Sequence, residues 1–449
     1  MVSYYSGNET GDTPGYLPDP YYWWEAGAMF SSLIDYWFYT NDTQYNAITK
    51  QALVHQAGDD RDYMPANASK SLGNDDQGFW GMTAMTAAET GFEDPPADQP
   101  QWLALAQAVF NTQSARWDTE HCNGGLRWQI FRFNNGYEYK NTISNGAMLN
   151  LAARLAKYTG NATYAEWAEK TWDWLEGVGF IMADGTVLDG AGDLKNCTEI
   201  DQLQWSYNAG ILLHGAANMY AYTNNSQTWL DRATRILTAT EKTFFVDSTD
   251  GTQKKNIMSE TACEAVQKCN IDQQSFKAYL SRWLAATTRL IPDLKTRIMP
   301  LLESSALAAA KSCVDKGPEG AACGTRWFEL SFDGLTGVGQ QMSALEVMQA
   351  NLIDSAPELK DNSTGTSLSD PNAGLGHDRS SEAAEVNVTT GGTAGAAILT
   401  VLFCGGVLGA MWFMFGTDGW VSDHLSSSSL GGGVGGYEEG GNAMKNLKI

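Results

Sequence analysis

Histidine is scarce in this chain, with 5 in 449 residues. His55, His121, His214, His377 and His424 lie far apart, without the spacing that brings two imidazoles onto one metal ion. His214 falls in an apolar helical run and reads as a core residue. No Cys-x-x-Cys pair occurs, which removes the common zinc and redox motifs. There is no Gly-x-Ser-x-Gly elbow, which argues against a serine hydrolase of that type. Basic residues are outnumbered, with 29 Lys and Arg against 52 Asp and Glu, and the net charge of -23 excludes nucleic acid as a partner because its phosphates would be repelled. Strand-like alternation is limited to Gly125–Phe133 and Gly185–Leu188, which read as short hairpin arms. The glycine run at Gly431–Gly436 is low-complexity tail and no phosphate loop. Neither a cofactor nor a metal is called for.

The chain is long enough for one large domain or two medium ones, and its 43% hydrophobic content supports a sizeable core. It carries 16 Trp, a surplus that suits both a core and a stacking surface for sugars. Of seven cysteines, Cys404 lies in an apolar segment. Cys122, Cys197, Cys263, Cys269, Cys313 and Cys323 form an even set, so disulfides and an oxidising compartment are expected. The close pairs Cys263/Cys269 and Cys313/Cys323 could each close locally, though six cysteines allow 15 connectivities. Sequons at Asn8, Asn41, Asn67, Asn161, Asn196, Asn224, Asn362 and Asn387 all precede the apolar segment, which points to the secretory pathway and the cell surface. The chain opens in polar, loop-like sequence with no signal peptide at Met1, so a native upstream segment is expected.

Small-residue helical runs recur at Tyr22–Tyr39, Phe79–Thr90, Ile143–Tyr158, Tyr207–Tyr222, Phe276–Leu290 and Val338–Leu352, spaced by about sixty residues. More charged, amphipathic stretches such as Tyr164–Leu175 and Trp229–Phe244 lie between them. An inner helix apolar all round, followed by an outer amphipathic one, predicts an all-α (α/α)6 barrel, or toroid. Four segments follow: a toroid domain over 1–354, a disordered linker over 355–393, a transmembrane helix over 394–415 and a disordered tail over 416–449. The linker is rich in Ser, Asp, Asn, Gly and Thr. The run Ala394–Phe415 is uncharged and long enough to span a bilayer. A GPI signal would end in its apolar stretch, so a single-pass anchor fits better. A chain ending before Ser355 is expected to stay folded, soluble and active.

Adjacent carboxylates repel, so Asp75-Asp76 needs a reason. One is the start of a helix, whose free N–H groups stabilise negative charge. Another is glycoside cleavage, which uses two carboxyl groups across one sugar bond. Ends of successive inner helices converge on one face of a toroid. There they bring Trp23-Trp24-Glu25, Asp75-Asp76, Ser144-Asn145, Trp205-Ser206-Tyr207-Asn208 and Gly339-Gln340-Gln341, a vocabulary of carboxylates, amides and aromatics suited to sugars. Trp80 adjoins the acid pair, and Arg127-Trp128-Gln129 follows the Asn123-Gly124-Gly125 turn and can project over the same face. The candidate set is therefore Asp75 and Asp76 for catalysis, with Trp23, Trp24, Trp80, Arg127, Trp128, Asn145, Tyr207, Asn208 and Gln340 for substrate. The acidic cluster Asp59-Asp60-Arg61-Asp62 reads as a solvated loop. Taken one at a time, each aromatic or amide has a structural explanation, and it is their convergence that suggests a site.

Four segments, Tyr22–Ala28, Asn74–Trp80, Gly124–Gln129 and Gln204–Asn208, together resemble glycoside hydrolase family 76, most closely its fungal cell-wall branch of mannan endo-1,6-α-mannosidases. Ser275–Trp283 fits the same branch, and the resemblance covers roughly Ser3 to Leu352. It implies an (α/α)6 barrel and a retaining mechanism, with Asp75 as nucleophile and Asp76 as general acid/base. It also implies a role in fungal cell-wall biogenesis. The substrates would be α-mannoside glycans of mannan or of GPI anchors, with transglycosylation to a β-glucan acceptor as one outcome. Two departures stand out. The start of the chain predicts an incomplete first helix pair, and the long C-terminal tail is unlike a GPI signal. A non-catalytic glycan-binding protein and an inverting toroid glycosidase are the alternatives. A pure lectin has no need of both acids, and an inverting enzyme would hold its carboxyls about 6.5–9.5 Å apart.

Overall fold

The computed structural model describes residues 1–68, 72–252, 256–316, 320–375 and 390–416. Its contacts divide the chain into two units, 1–383 and 384–449.

In the first unit the recurring apolar runs become α1 (Trp23–Thr40), α3 (Asn74–Thr90), α5 (Thr142–Thr159), α7 (Ser206–Tyr222), α9 (Phe276–Leu290) and α11 (Val338–Gln349). Each packs on the next and α11 packs back on α1, so the six close a ring. Their all-round burial explains the missing amphipathic pattern. In α3 everything from Gln77 to Thr90 is buried. Small residues let these helices approach closely: a Cβ on Gly215 of α7 would lie 2.1 Å from Leu149 of α5. Outside the ring sit α2 (Asn46–Gln56), α4 (Trp102–Ala115), α6 (Ala162–Gly177), α8 (Gln227–Phe244) and α10 (Lys295–Lys311), each against the preceding inner helix. Of α8, only Trp229, Ala233, Ile236, Leu237, Thr240 and Phe244 are buried, a single stripe at helical spacing. Left-handed residues at Asn41, Gly91 and Gly160 end α1, α3 and α5, which explains the similar sequences at those points.

The toroid expectation holds, with corrections. The first pair is complete, since α1 and α2 both form. Among the described residues of this unit, a 3-10 turn, Ala350–Ser355, follows α11 where a sixth outer helix is expected. Residues 356–375, expected to be disordered, are bound to the domain. Arg289 donates to the carbonyls of Ala356 and Pro357 at 3.1 and 2.7 Å. Lys360 N–H bonds the Glu89 carbonyl at the end of α3, 2.6 Å away. Asn111 on α4 donates to the carbonyls of Pro371 and Ala373 at 2.9 and 2.8 Å. The strap thus crosses the end of the ring and runs along α4. Composition misses this because polar main chain is held by amide side chains here, and not by apolar burial.

The proposed hairpin arms are also displaced. Strands β1 (Tyr139–Asn141), β2 (Gly190–Gly192) and β3 (Ile200–Asp201) make one antiparallel sheet in the order β1-β2-β3. Gly125–Phe133 contributes only an isolated bridge from Gln129 to Gly73, and Gly185–Leu188 one from Val187 to Ile181. Two further hairpins pair β4 (Phe245–Val246) with β5 (Ile257–Met258), and β6 (Cys313–Asp315) with β7 (Ala321–Cys323). Cysteines pair as Cys122–Cys197, Cys263–Cys269 and Cys313–Cys323, leaving Cys404 free.

In the second unit, α12 (Thr390–Gly416) is a 27-residue helix over the uncharged run. Its side chains are described from 399 to 412. Among the described residues no helix is long and apolar enough to cross a membrane. The rest of the expected linker, residues 376–389 with the sequon at Asn387, and the tail from 417 lie outside the described residues.

Candidate active site

Asp75 and Asp76 occupy the first turn of α3. Gly73 is the extended residue before the helix, and the Asp76 carboxylate accepts its N–H at 2.6 Å. Asp75 Oδ1 accepts the Asp76 N–H at 3.0 Å. Both acids therefore use donors that a helix start leaves free. The turn is fixed through Asn74. Its N–H bonds the Trp128 carbonyl at 2.7 Å, and its side chain donates to the Arg127 carbonyl at 2.9 Å. Gln113 donates to its carbonyl at 2.7 Å, and Arg116 to its Oδ1 at 2.9 Å.

Gly73 is a requirement of the site that sequence reasoning did not single out. A Cβ there would lie 2.3 Å from Asp75 Oδ1 and 3.1 Å from the Trp128 carbonyl. A Gly73→Ala variant should lose about 10²-fold in kcat with little change in KM, because it moves the carboxyl and leaves the aromatic walls alone. Wild-type kcat in that variant would show that the pair tolerates the displacement.

The two acids stand half-buried in a cleft of about 630 Å³ at the end of the ring where the inner helices begin. Trp23, Trp24, Trp128 and Tyr207 line it as expected. Trp24 donates its indole N–H to Asp272 at 3.1 Å. Tyr207 stacks on Phe276, with centroids 3.8 Å apart and planes 6° from parallel. Trp128 is 37% exposed, the most open of the four.

Five of the expected residues do not line the cleft. Trp80 is fully buried, stacked between Trp23 and Tyr63. It lies one helical position past the cleft-lining Phe79, a rotation that turns it into the core. Arg127 ion-pairs with Asp118 and Asp193, away from the cleft. Asn145 spends its side chain on the backbone of Leu126 and Asn141. Gln340 donates to Gln274 at 2.9 Å. Asn208 is buried and reaches the site indirectly, through a 3.2 Å bond to Asp189. Each is a polar or aromatic residue that the fold uses for its own anchoring, Arg127 in the loop before α5 and the others on inner helices.

Sequence reasoning missed Asp189 and Asp272, which both line the cleft. Asp189 accepts the Tyr139 hydroxyl at 2.9 Å. Asp272 lies four residues before α9, so the inner-helix rule would have found it a turn earlier than it was applied. For Asp189, in the loop before β2, no sequence signal exists. The Cys122–Cys197 bridge ties the loop carrying Trp128 to the β2–β3 hairpin that follows Asp189, joining two cleft walls.

Among the described residues, the four charged ones lining the cleft are all aspartates. Burial pushes Asp75 well above the usual carboxylate range, and the charge of Asp76 raises it further. Burial also raises Asp76, to about 7, with the Gly73 N–H pulling it down and Asp272 pushing it up. Two close carboxyls of this kind titrate as a unit, since the charge of one opposes the ionisation of the other. One acid and one anion side by side is what general acid and nucleophilic chemistry on a glycoside require.

Two other clusters are self-satisfied. Asp118, His121 and Asp193 approach one another within metal-ligand range, but Arg127 and Lys140 already occupy the carboxylates. A cavity of about 80 Å³ at the far end of the ring is lined by Asp35, Glu89, Arg154 and Arg282. Those charges pair, Arg154 with Glu89 and Arg282 with Asp35, each at 2.6 Å.

Residues 1–363 match the profile of glycosyl hydrolase family 76. The chain belongs to this family. It is 47% identical over 420 residues to mannan endo-1,6-alpha-mannosidase DCW1 of Saccharomyces cerevisiae, covering 92% of this chain and 91% of the relative. The crystal structure of Dfg5 from Chaetomium thermophilum in complex with glucosamine superposes with a TM-score of 0.80 at 46% identity, covering 85% of this chain and 94% of that one. The fold likeness extends to the GH76A alpha-1,6-mannanase of Salegentibacter sp. HEL1_6, at 17% identity and a TM-score of 0.60, covering 76% and 93%.

Proposed function

We propose that this family 76 chain is a retaining, endo-acting α-1,6-mannosidase. It would cleave, or transfer, α-mannoside chains of mannan or of the glycan on GPI-anchored wall proteins. The observation that carries the reading is the adjacent carboxyl pair, both acids raised by burial, in an aromatic-walled cleft. The 47% identity to a mannan endo-1,6-α-mannosidase supplies the linkage. Asp75 attacks the anomeric carbon and Asp76 protonates the leaving oxygen. Water, or a sugar hydroxyl such as that of a β-glucan, then resolves the glycosyl-enzyme, with Asp76 as base. Trp23, Trp24, Trp128 and Tyr207 give the sugar rings flat faces.

The surroundings are proposed to be the cell surface, supported by three disulfides and by the sequons. The uncharged run 394–415 is proposed as a single-pass membrane anchor, supported by its lack of any Asp, Glu, Lys or Arg.

The test is an α-1,6-mannan oligosaccharide followed by proton NMR and mass spectrometry. The first product should carry the α-anomer, and internal bonds should break before terminal ones. A first-formed β-anomer would replace the retaining mechanism with inversion. Products longer than the starting chain, formed with added glucan oligosaccharides, would identify transfer.

A further inference from the structure

We propose that Tyr22 and Phe133 are outer sugar platforms, one on each flank of the acid pair, which hold the glycan chain beyond the rings seated on the cleft walls. The proposal rests on the reading of the cleft as the site of an endo-acting mannosidase, and adds the path along which the chain lies.

The sequence holds 16 Trp, 18 Tyr and 16 Phe. Among the described residues of the first unit, only three of these side chains are exposed, Tyr22 at 56%, Trp128 at 37% and Phe133 at 66%. Single exposed apolar side chains are ordinary on a protein surface, but chance would scatter them over the whole ring. Here they gather at one place. Tyr22 and Trp128 line the cleft, and Phe133 directly precedes Asn134 and Asn135, which also line it.

Both platforms stand on fixed main chain. Residues 128–139 form a loop pinched at its neck, where the Trp128 N–H bonds the Tyr139 carbonyl at 2.6 Å. The Ile130 N–H ties the loop to the Leu72 carbonyl at 3.3 Å, close to the start of α3. Within the loop, Gly136 lies against the Trp128 indole. A Cβ there would be 2.3 Å from the ring, and its φ of 92° favours glycine. Asn134 donates to the Gln129 side chain at 3.1 Å. Phe133 stacks on the buried Phe131, with centroids 5.3 Å apart and planes 11° from parallel, so one face of its ring is backed while the side chain stays open to solvent. On the other flank, the Tyr21 hydroxyl accepts the Val338 N–H at 3.1 Å, and the Tyr22 carbonyl accepts the Glu25 N–H at 3.1 Å. These bonds hold the chain that presents Tyr22 to the starts of α11 and α1.

The order of the ring places the two rings on opposite flanks. Helix α3 packs between α1 and α5. Tyr22 precedes α1, the acid pair opens α3, and Phe133 lies in the segment that leads into α5. A hexose offers an apolar face of C–H groups to an aromatic ring, and its neutral hydroxyls suit the amides of Asn134 and Asn135. An anionic chain would instead meet the four aspartates of the cleft. An endo-acting enzyme has no chain end to locate the bond it breaks. It needs a grip on both sides of that bond, and platforms flanking the acids supply one.

The experiment compares the full chain with its Tyr22→Leu and Phe133→Leu variants on an α-1,6-linked mannohexaose labelled at the reducing end. Leucine keeps Phe131 covered and removes only the flat face. Each variant should lower kcat/KM on the hexasaccharide by about fivefold, chiefly through KM. Each should stay within about twofold of the wild type on the shortest oligosaccharide that the wild type cleaves. Mass spectrometry of the first products should show the preferred bond moving toward opposite ends of the chain in the two variants. Phe133→Tyr should restore the wild-type pattern. Movement toward the same end in both variants overturns the flanking arrangement. Wild-type constants and products in both variants, or an equal loss on short and long chains, overturn the platforms and leave the endo-mannosidase reading standing. No cleavage by the wild type removes that reading and this inference with it.

Discussion

Asp75→Asn and Asp76→Asn should each lower kcat/KM for α-1,6-mannan oligosaccharides by on the order of 10³-fold or more, with the fold intact. The two should differ in kind. Without Asp76 a substrate with a good leaving group still reacts, because little protonation is needed. Added azide should then restore turnover and give the retained α-azide. Without Asp75 azide attacks the substrate directly, and the product is inverted. The pH dependence should shift with a defined sign. The charge of Asp76 raises Asp75, so removing it lowers the Asp75 pKa, and the residual activity of Asp76→Asn should persist to lower pH than that of the wild type. Burial and the neighbouring charge raise Asp75 further than Asp76, so the electrostatics of the pair alone would place the proton on Asp75, the reverse of the assigned roles. Asp76 gains an anion-stabilising N–H from Gly73, and Asp75 gains one from Asp76. The stereochemical readout does order them, and the opposite pattern would exchange the two assignments. Full activity in either variant would reduce the pair to an acidic first helical turn.

The ring was legible because its cause is local and repeated. Six runs of small apolar residues mark six helices buried on every side, and similar Thr-Asn or Thr-Gly endings mark the corners. The first turn of α3 was legible because two adjacent acids are costly anywhere else. The second layer of the site was not. Asn145, Gln340 and Arg127 are the residue types that bind sugars, but also the types that hold loops to helices. Only three-dimensional partners such as Leu126, Gln274 and Asp193 tell the two uses apart. Trp80 shows the same limit for aromatics, since one position along a helix separates cleft from core. Asp189 approaches the acid pair through a loop whose path depends on the β1-β2-β3 sheet and the Cys122–Cys197 bridge. Neither is written in a local pattern.

A chain ended at Asp354 should melt at a clearly lower temperature than one ended at Leu375, by roughly 5 °C or more, although composition marks the first as the end of the domain. The strap supplies what the missing sixth outer helix does not. The hydroxyl of Ser367 accepts the Leu103 N–H at 3.0 Å, a donor that the N-cap residue Gln101 leaves uncapped because its side chain turns to the carbonyls of Pro95, Pro96 and Gln99. Gln107 accepts both the Ser369 hydroxyl and the Asp370 N–H, at 3.0 and 2.8 Å. Leu359 lines the far cavity together with Arg282 and Arg289. Each lost hydrogen bond costs about 1 kcal/mol, since water replaces the partner, so the sum is a few kcal/mol and not a collapse. The loss should reach the reaction as well. The last turn of α4 carries Gln113, Arg116 caps its end, and both hold Asn74 beneath the acid pair. A loosened α4 should therefore lower kcat more than it raises KM. Thermal scans and Michaelis constants of the two truncated chains decide the matter. Equal melting temperatures would mean that the strap only lies against the ring, and that the domain ends where the composition changes.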